Sequence, residues 1–349
     1  MSALKTGIEA IERGWVPDAV TRLAIRRLCT SFLGASDDAD PNANEAFLAS
    51  LQAGPIALST DAANEQHYEL PPEFFTKVLG PHRKYSCCYF SSPHTSLDEA
   101  ERAALEITCD HAELRDGQAI LELGCGWGSL SLWMSEHYPN SRIVSVSNSH
   151  KQRQFIESEA AARGLRNLRV VTADINDFTL VDNNLEIRAF DRVVSVEMFE
   201  HMHNFDELLF RISRWLAPTG KLFVHHFCHH VRRYPFETNG DVNWMGRYFF
   251  TGGIMPDERL LENFSRDLIV TRRWTWDGQH YERTSNAWLN NLDRNRAEIL
   301  PILEQTYGAV AGRRWLHRWR MFFIAVAELF GLAHGCQWYV THALLEHRK

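Results

Sequence analysis

The sequence predicts an α/β fold of the Rossmann-like type: a seven-stranded, mostly parallel sheet with a helical N-terminal cap and a C-terminal helical lid. Three observations predict it. Short β-rich runs alternate with helical stretches from Gln118 onward, a glycine-rich turn joins the first run to its helix, and helical spacing dominates on either side of this block. The changes of rhythm divide the chain into a cap at 1–115, a core at 116–230 and a lid at 231–349 that also completes the sheet.

In the cap, Pro17–Leu33 has apolar residues at helical spacing. Ser96–His111 opens on acidic residues and then repeats Leu97, Ala100, Ala104, Leu105 and Ile107 along one face. Disorder is expected only around Gly34–Asn44. The core strands are Ala119–Leu123, Arg142–Val146, Leu168–Thr172, Asp191–Val196 and Lys221–His225. Helices Ser129–Tyr138, Lys151–Arg163 and Phe205–Leu216 separate them, the last closed by the turn Pro218-Thr219-Gly220. Past His230 come a strand at Leu268–Trp276, a helical block from Arg283 to Leu332, and a strand near Gln337–Leu345. Those two strands are expected to complete the sheet, and the block to cover it.

The chain has 349 residues, 45% hydrophobic and 23% charged, enough for a large buried core in one extended α/β domain or two ordinary ones. A net charge of -7 excludes a general nucleic-acid binder, which needs a basic face for phosphates, and points to small-molecule partners. The first residues lack the apolar stretch of a secretory signal, and no window reaches the roughly 18 apolar residues of a membrane span. The expected location is the cytoplasm. Seven scattered cysteines without a C-x-x-C pair read as reduced thiols, and no metal site is expected.

Two segments invite sharper readings. His225-His226-Phe227-Cys228-His229-His230 has the composition of a metal site, but alternation along a strand sends neighbours to opposite faces, so it reads as a buried strand end with one pocket histidine. Arg313-Arg314-Trp315-Leu316-His317-Arg318-Trp319-Arg320 precedes the apolar run Met321–Leu332. Such a helix can rest on an anionic membrane, but the simpler reading is a solvated basic face over a core-packed stripe.

The turn after the first strand, Leu121-Glu122-Leu123-Gly124-Cys125-Gly126-Trp127-Gly128, carries the chemistry. Its glycines let the backbone bend sharply and approach a ligand, and the following helix offers unpaired N–H groups. An acidic residue at the strand end suits a ligand bearing an amino group better than a pyrophosphate. The cofactor this pattern fits is S-adenosylmethionine, and the activity methyl transfer. Glu122, Gly124, Gly126 and Gly128 are the candidate contacts here. Asn148 and Gln152, after the second strand, stand where ribose hydroxyls meet a polar group, and Asp174 with Ile175, after the third, stand where adenine would lie.

The chain resembles the cyclopropane-fatty-acid-synthase superfamily of methyltransferases, and within it the coclaurine N-methyltransferase-like branch. The resemblance rests on His67-Tyr68-Glu69-Leu70-Pro71, Tyr85-Ser86-Cys87-Cys88-Tyr89-Phe90, the glycine turn, Ser195-Val196-Glu197-Met198-Phe199-Glu200-His201-Met202, Arg247-Tyr248-Phe249-Phe250-Thr251-Gly252-Gly253 and His280-Tyr281-Glu282-Arg283-Thr284. It implies that Tyr85 and Ser86 hold the amino-acid end of the cofactor, that Glu197, Glu200 and His201 line the substrate pocket, and that Glu69 and Tyr281 lie near it.

Methyl transfer to nitrogen needs a neutral amine in line with the S–CH3 bond, whereas an alkylamine is mostly protonated near neutral pH. Glu200 and His201 are therefore expected to remove the proton, and Glu197 with Glu69 to bind the cation. Phe249, Phe250, Trp274, Trp276, Trp288 and Tyr281 are available to flank a flat substrate, with His225 as the pocket histidine. The expected enzyme is a monomeric or dimeric N-methyltransferase acting on a small aromatic or heterocyclic amine. The alternative is a cyclopropane-fatty-acyl-phospholipid synthase or acyl-chain methyltransferase, in which the family's bicarbonate ligands match Cys87, Glu200, His225 and Tyr281. Against that stands Glu197, in a place where the synthases typically carry glycine, because its carboxylate would repel bicarbonate.

Overall fold

The computed structural model describes residues 2–34, 41–58, 70–183, 185, 187 and 189–349. Of the stretch expected to lack order, 35–40 lie outside the described residues, whereas Gly34 ends one helix and 41–44 begin another.

The cap holds α1 (Ala3–Glu12), α2 (Asp18–Gly34), α3 (Pro41–Ser50), α4 (Pro72–Val78) and α5 (Leu97–His111). The start of α5 is set by a capping box, in which the Ser96 hydroxyl accepts from the Glu99 N–H and the Glu99 carboxylate accepts from the Ser96 N–H. Strands β1 (Ala119–Leu123), β2 (Arg142–Ser147), β3 (Leu168–Thr172), β4 (Phe190–Val196) and β5 (Leu216–His229) follow, with helices α6 (Ser129–His137), α7 (His150–Ala162) and α8 (Phe205–Trp215) between them. A short ribbon of β6 (Tyr234–Pro235) and β7 (Ile254–Met255) flanks the helix α9 (Trp244–Tyr248). The chain ends with β8 (Leu268–Trp276), α10 (Gln279–Arg294), α11 (Arg296–Tyr307), α12 (Ala309–Gly331) and β9 (Trp338–His347).

The seven-stranded sheet runs β3-β2-β1-β4-β5-β9-β8. The first five are parallel, and β9 enters antiparallel between β5 and β8. Every residue of β1 is buried, as a strand covered by helices on both faces must be. Such a sheet has its ligand crevice at the carboxyl ends of the parallel strands, and the glycine turn leaves β1 there.

The expected helical block Arg283–Leu332 is three helices from Gln279 to Gly331, and the largest difference among the strands is in β5, expected at Lys221–His225 and observed at Leu216–His229. Strand β5 starts at Leu216, so Pro218-Thr219-Gly220 falls inside it rather than closing the preceding helix. The pairing steps from Phe190 with Leu216 to Arg192 with Lys221, and residues 217–220 bulge opposite Asp191, which accommodates a proline without a ladder N–H.

Cap and lid share one apolar cluster, in which Phe74 and Phe75 of α4 meet Trp319, Phe322 and Phe323 of α12. Two buried carboxylates tie them further. Glu12 of α1 accepts from Trp244 Nε1–H at 2.9 Å and Arg318 Nε–H at 3.0 Å, and pairs also with Arg314. Glu328 of α12 pairs with Arg22 and Arg26 of α2. The basic run on α12 is only in part the solvated face expected of it: Arg313 and Arg314 are exposed, whereas Arg318 and Arg320 are drawn in to Glu12, Asp18 and Asp293. Intramolecular carboxylates compensate these arginines because α12 packs under α1 and α2. No helix among the described residues is long and apolar enough to cross a membrane.

Candidate active site

The turn after β1 is tied to its neighbour by two amides, Gly124 N–H and Cys125 N–H, which both donate to Val146 O at 3.0 Å. Gly124 has φ +78° and would place a Cβ 2.9 Å from Met198, so no larger residue fits. At Gly126, with φ +51°, a Cβ would meet nothing within 4 Å, because that side of the backbone opens on the cleft. Gly128 differs from its expected role as a cofactor contact: its missing Cβ makes room for Ile156 of α7, 2.6 Å away, and it lines neither cleft.

Two adjoining clefts of about 1210 and 820 Å³ open at this edge and share Gly124, Gly126, Gln152, Glu197 and His201. Tyr85, Ser86 and Glu122 line the larger; Asn148, Asp174 and Ile175 line the smaller. Burial pushes the Glu122 carboxyl up to about 7, against hydrogen bonds from the Ser131 and Ser145 hydroxyls. Gln152 accepts from the Ser147 hydroxyl at 2.6 Å through Oε1, while its buried Nε2 has no partner among the described residues. Ser129 Oγ, on the wall of the larger cleft, is likewise buried and unpartnered. Asp174 also serves its own turn, accepting from Asn176 N–H at 2.8 Å. Orphaned polar atoms beside open glycine backbone fit an elongated, polar, amino-bearing ligand such as S-adenosylmethionine.

Glu197 forms the floor common to both clefts. It leaves β4 with φ +48°, a left-handed conformation unusual for a residue with a side chain. Oε1 accepts from Cys87 N–H at 2.9 Å and lies 3.2 Å from His225 Nε2; Oε2 accepts from Tyr281 Oη–H at 2.6 Å. Burial raises its carboxyl above the usual range, while Lys84 opposes the shift. Lys84 is itself buried, with Nζ donating to Ser86 Oγ and Cys87 O, each at 2.6 Å. Sequence reasoning passed over this lysine, although it immediately precedes Tyr85 and Ser86.

The structure separates Glu200 from His201. A 3-10 turn, Phe199–His201, brings His201 to both clefts, with its ring parallel to that of Phe250 at 5.9 Å. Glu200 turns back to β5, where Oε1 accepts from Phe227 N–H at 2.7 Å, and it lines neither cleft. Its Oε2 is buried without a partner, and burial together with the nearby Glu197 charge holds its carboxyl well above the usual range. Burial and the Glu197 charge thus both push Glu200 toward its protonated form behind the cleft wall.

Other expected contacts sort as follows. Tyr281, Phe250 and Trp288 line the larger cleft. Phe249 does not, because it stacks on Phe322 at 4.1 Å in the cap and lid cluster, leaving its neighbour Phe250 to face the cleft. His225 is fully buried and reaches the cleft only through Glu197. Trp276 packs beside His225, and Trp274 stacks on His111. Glu69 lies outside the described residues. Among the described residues, no group of three or more His, Cys, Asp or Glu side chains is arranged to hold a metal ion.

The model of the mycolic acid cyclopropane synthetase family matches residues 58–333. (S)-Coclaurine N-methyltransferase of Thalictrum flavum subsp. glaucum is 38% identical over 301 residues, 85% of this chain and 82% of that protein. The enzyme of the same name from Papaver somniferum is 34% identical over 300 residues, 85% of this chain and 84% of its own length. A solved structure of coclaurine N-methyltransferase bound to N-methylheliamine and SAH superposes with a TM-score of 0.92 at 34% identity, over 99% of this chain and all of that one.

Proposed function

This chain belongs to the mycolic acid cyclopropane synthetase family and is an S-adenosylmethionine-dependent N-methyltransferase, and from that premise we propose that it methylates a small aromatic or heterocyclic amine held as a cation against Glu197. The observation that carries the reading is the setting of the Glu197 carboxylate, which accepts from the Cys87 amide and the Tyr281 phenol and lies 3.2 Å from His225 Nε2. These are three of the four residues that the resemblance assigns to bicarbonate in the alkene-modifying enzymes. Here a carboxylate of the chain fills the anion's place. A fixed anion in an aromatic cleft attracts an ammonium ion and repels bicarbonate.

The cofactor supplies an electrophilic methyl group on a sulfonium. The residues supply placement and proton handling. Glu197 pairs with the incoming ammonium and accepts its proton, freeing the lone pair for in-line attack. Glu200, pushed toward its protonated form behind it, opposes a second negative charge in the site, and His201 faces the amine from the wall shared by both clefts. Phe250, Trp288 and Tyr281 flank the ring system, each cation contact contributing about 0.5–2 kcal/mol. Tyr85, Ser86, Glu122, Gly124 and Gly126 would hold the amino-acid end of the cofactor, and Asn148, Gln152, Asp174 and Ile175 its adenosine.

The acceptor is a small molecule rather than a membrane lipid, since Arg314, Arg318 and Arg320 of α12, which an anionic lipid surface would recruit, are paired with Glu12, Asp18 and Asp293. Transfer of labelled methyl from S-adenosylmethionine to a panel of tetrahydroisoquinolines and arylalkylamines tests the reading beside unsaturated phospholipid vesicles, with and without bicarbonate. Label in an amine is the expected result. Bicarbonate-dependent label in the lipid fraction would overturn it.

A further inference from the structure

Three histidines from distant parts of the chain form a continuous line that starts at Glu197. His225 of β5 faces Glu197 Oε1 through Nε2 at 3.2 Å, and its Nδ1 meets Nε2 of His342, on β9, at 2.9 Å. The Nδ1 of His342 then meets Nδ1 of His111, the last residue of α5, at 2.8 Å. Each of the two inner rings uses both nitrogens, one toward Glu197 and one away from it. His225 and His342 are fully buried, whereas His111 is half-buried, stacked on Trp274 at 4.0 Å. None of the three lines either cleft.

We propose that His225, His342 and His111 are a proton relay that carries the proton taken from the amine by Glu197 out to solvent at His111 while substrate and cofactor fill the cleft. The proposal rests on the reading of Glu197 as the group that accepts that proton. In the starting tautomers His225 donates through Nδ1 to His342 Nε2, His342 donates through Nδ1 to His111 Nδ1, and His111 carries its hydrogen on Nε2. The protonated Glu197 gives its hydrogen to His225 Nε2. The Nδ1 hydrogen of His225 passes to His342 Nε2, that of His342 to His111 Nδ1, and the Nε2 hydrogen of His111 leaves to water. One proton enters, one leaves, and every imidazole ends neutral. Glu197 is again a carboxylate, now accepting from His225 Nε2–H, before the ammonium product forms against it. After product release the shift reverses, and Glu197 returns its proton to water in the emptied cleft.

The surroundings suit neutral rings. Burial, reinforced by Lys84, His226 and His111, keeps His225 well below the ordinary imidazole range, and His342 shares these neighbours. Burial holds His111 at about 4, with Asp110 opposing and Arg272 adding to the shift. A ring that stays neutral passes a proton without trapping it.

His111→Ala opens the outer end at a half-buried position, and free imidazole added to the buffer can take the vacated place against Trp274. The expected result is a turnover about tenfold lower with the amine KM unchanged, restored severalfold by imidazole. His342→Gln cuts the middle of the line; its loss of turnover is not restored by imidazole. A readout independent of turnover is the 15N-edited spectrum of the wild-type protein, in which the shared hydrogens between the rings should resonate far downfield. Wild-type amine turnover with unimpaired His111→Ala would overturn the relay and leave the amine reading standing. Absence of amine turnover in the wild type would remove the amine reading itself, and the relay with it. Loss in His111→Ala that imidazole does not restore, with no downfield hydrogens in the wild type, would reduce these histidines to packing.

Discussion

The Tyr281 phenol donates to Glu197 Oε2 at 2.6 Å while the Cys87 amide donates to Oε1 at 2.9 Å, so the carboxylate is gripped through both oxygens. It cannot swing toward the amine without breaking a bond to charge. Tyr281→Phe removes one grip and keeps the ring, which packs on Phe330 at 4.5 Å. A hydrogen bond to a charged group contributes about 1.5–3 kcal/mol. Amine turnover should fall about tenfold or more, with the melting temperature lowered by a few degrees; a variant as active as wild type would separate Tyr281 from the reaction.

Glu197→Gly removes the carboxylate at a position whose φ of +48° glycine adopts freely. The variant should fold at least as stably as wild type, judged by thermal denaturation, and lose amine transfer by at least about a hundredfold, a barrier increase of roughly 3 kcal/mol. The Cys87 amide, the Tyr281 phenol and His225 would then face an empty, anion-sized place. Added formate should recover part of the turnover, and full turnover without it would show that the amine never needed this carboxylate.

Gly126→Ala tests the cofactor assignment. Nothing lies within 4 Å of the added Cβ, so the fold tolerates it apart from a left-handed φ of +51° that costs roughly 1–2 kcal/mol. The methyl group projects into the space the cofactor needs. Calorimetric titration with S-adenosylhomocysteine should show affinity at least about tenfold weaker; unchanged affinity would move the cofactor elsewhere.

Much of this site was legible in sequence, for identifiable reasons. The strand β1 appears at its expected bounds because a strand covered on both faces leaves a nearly continuous apolar run between turns, and β3, at the sheet edge with Arg169 exposed, is marked by its short β-branched run between turns. The glycine turn, Glu197 and Tyr281 carried their own motifs. What sequence could not resolve was direction. Glu200 and His201 are adjacent, and only the tight 3-10 turn sends one to β5 and the other to the cleft. Phe249 and Phe250 are equally apolar, and their roles are divided by the bend at the end of α9, which commits Phe249 to Phe322. His342 had no motif, because its partners come from β5 and α5, 117 and 231 residues away.

A fourth expectation concerns pH. Glu122 ionises at about 7 in the folded protein against an ordinary 4.5. The folded state therefore holds a proton that the unfolded chain has released between those values. This contribution to stability is fully present below about 4.5 and is lost as pH rises through about 7. Glu122→Gln keeps an oxygen for the Ser131 and Ser145 hydroxyls and has no such loss. Without cofactor, its stability relative to wild type should rise by about 3 kcal/mol across that window, measured by denaturant unfolding. A difference independent of pH would place the Glu122 titration elsewhere.

The joining of α1 and α2 to α12 has a consequence for synthesis. On the ribosome α1 and α2 emerge long before the segment that supplies Arg314, Arg318 and Glu328, so Glu12, Arg22 and Arg26 wait without these counter-ions until α12 is out. The five parallel strands can form in the meantime, because β1 through β5 pair among themselves, whereas β8 waits for β9. The clasp of α1 and α2 to α12 is thus a late event of biogenesis, and a nascent chain stalled before α12 would display an unsatisfied cap to chaperones and proteases.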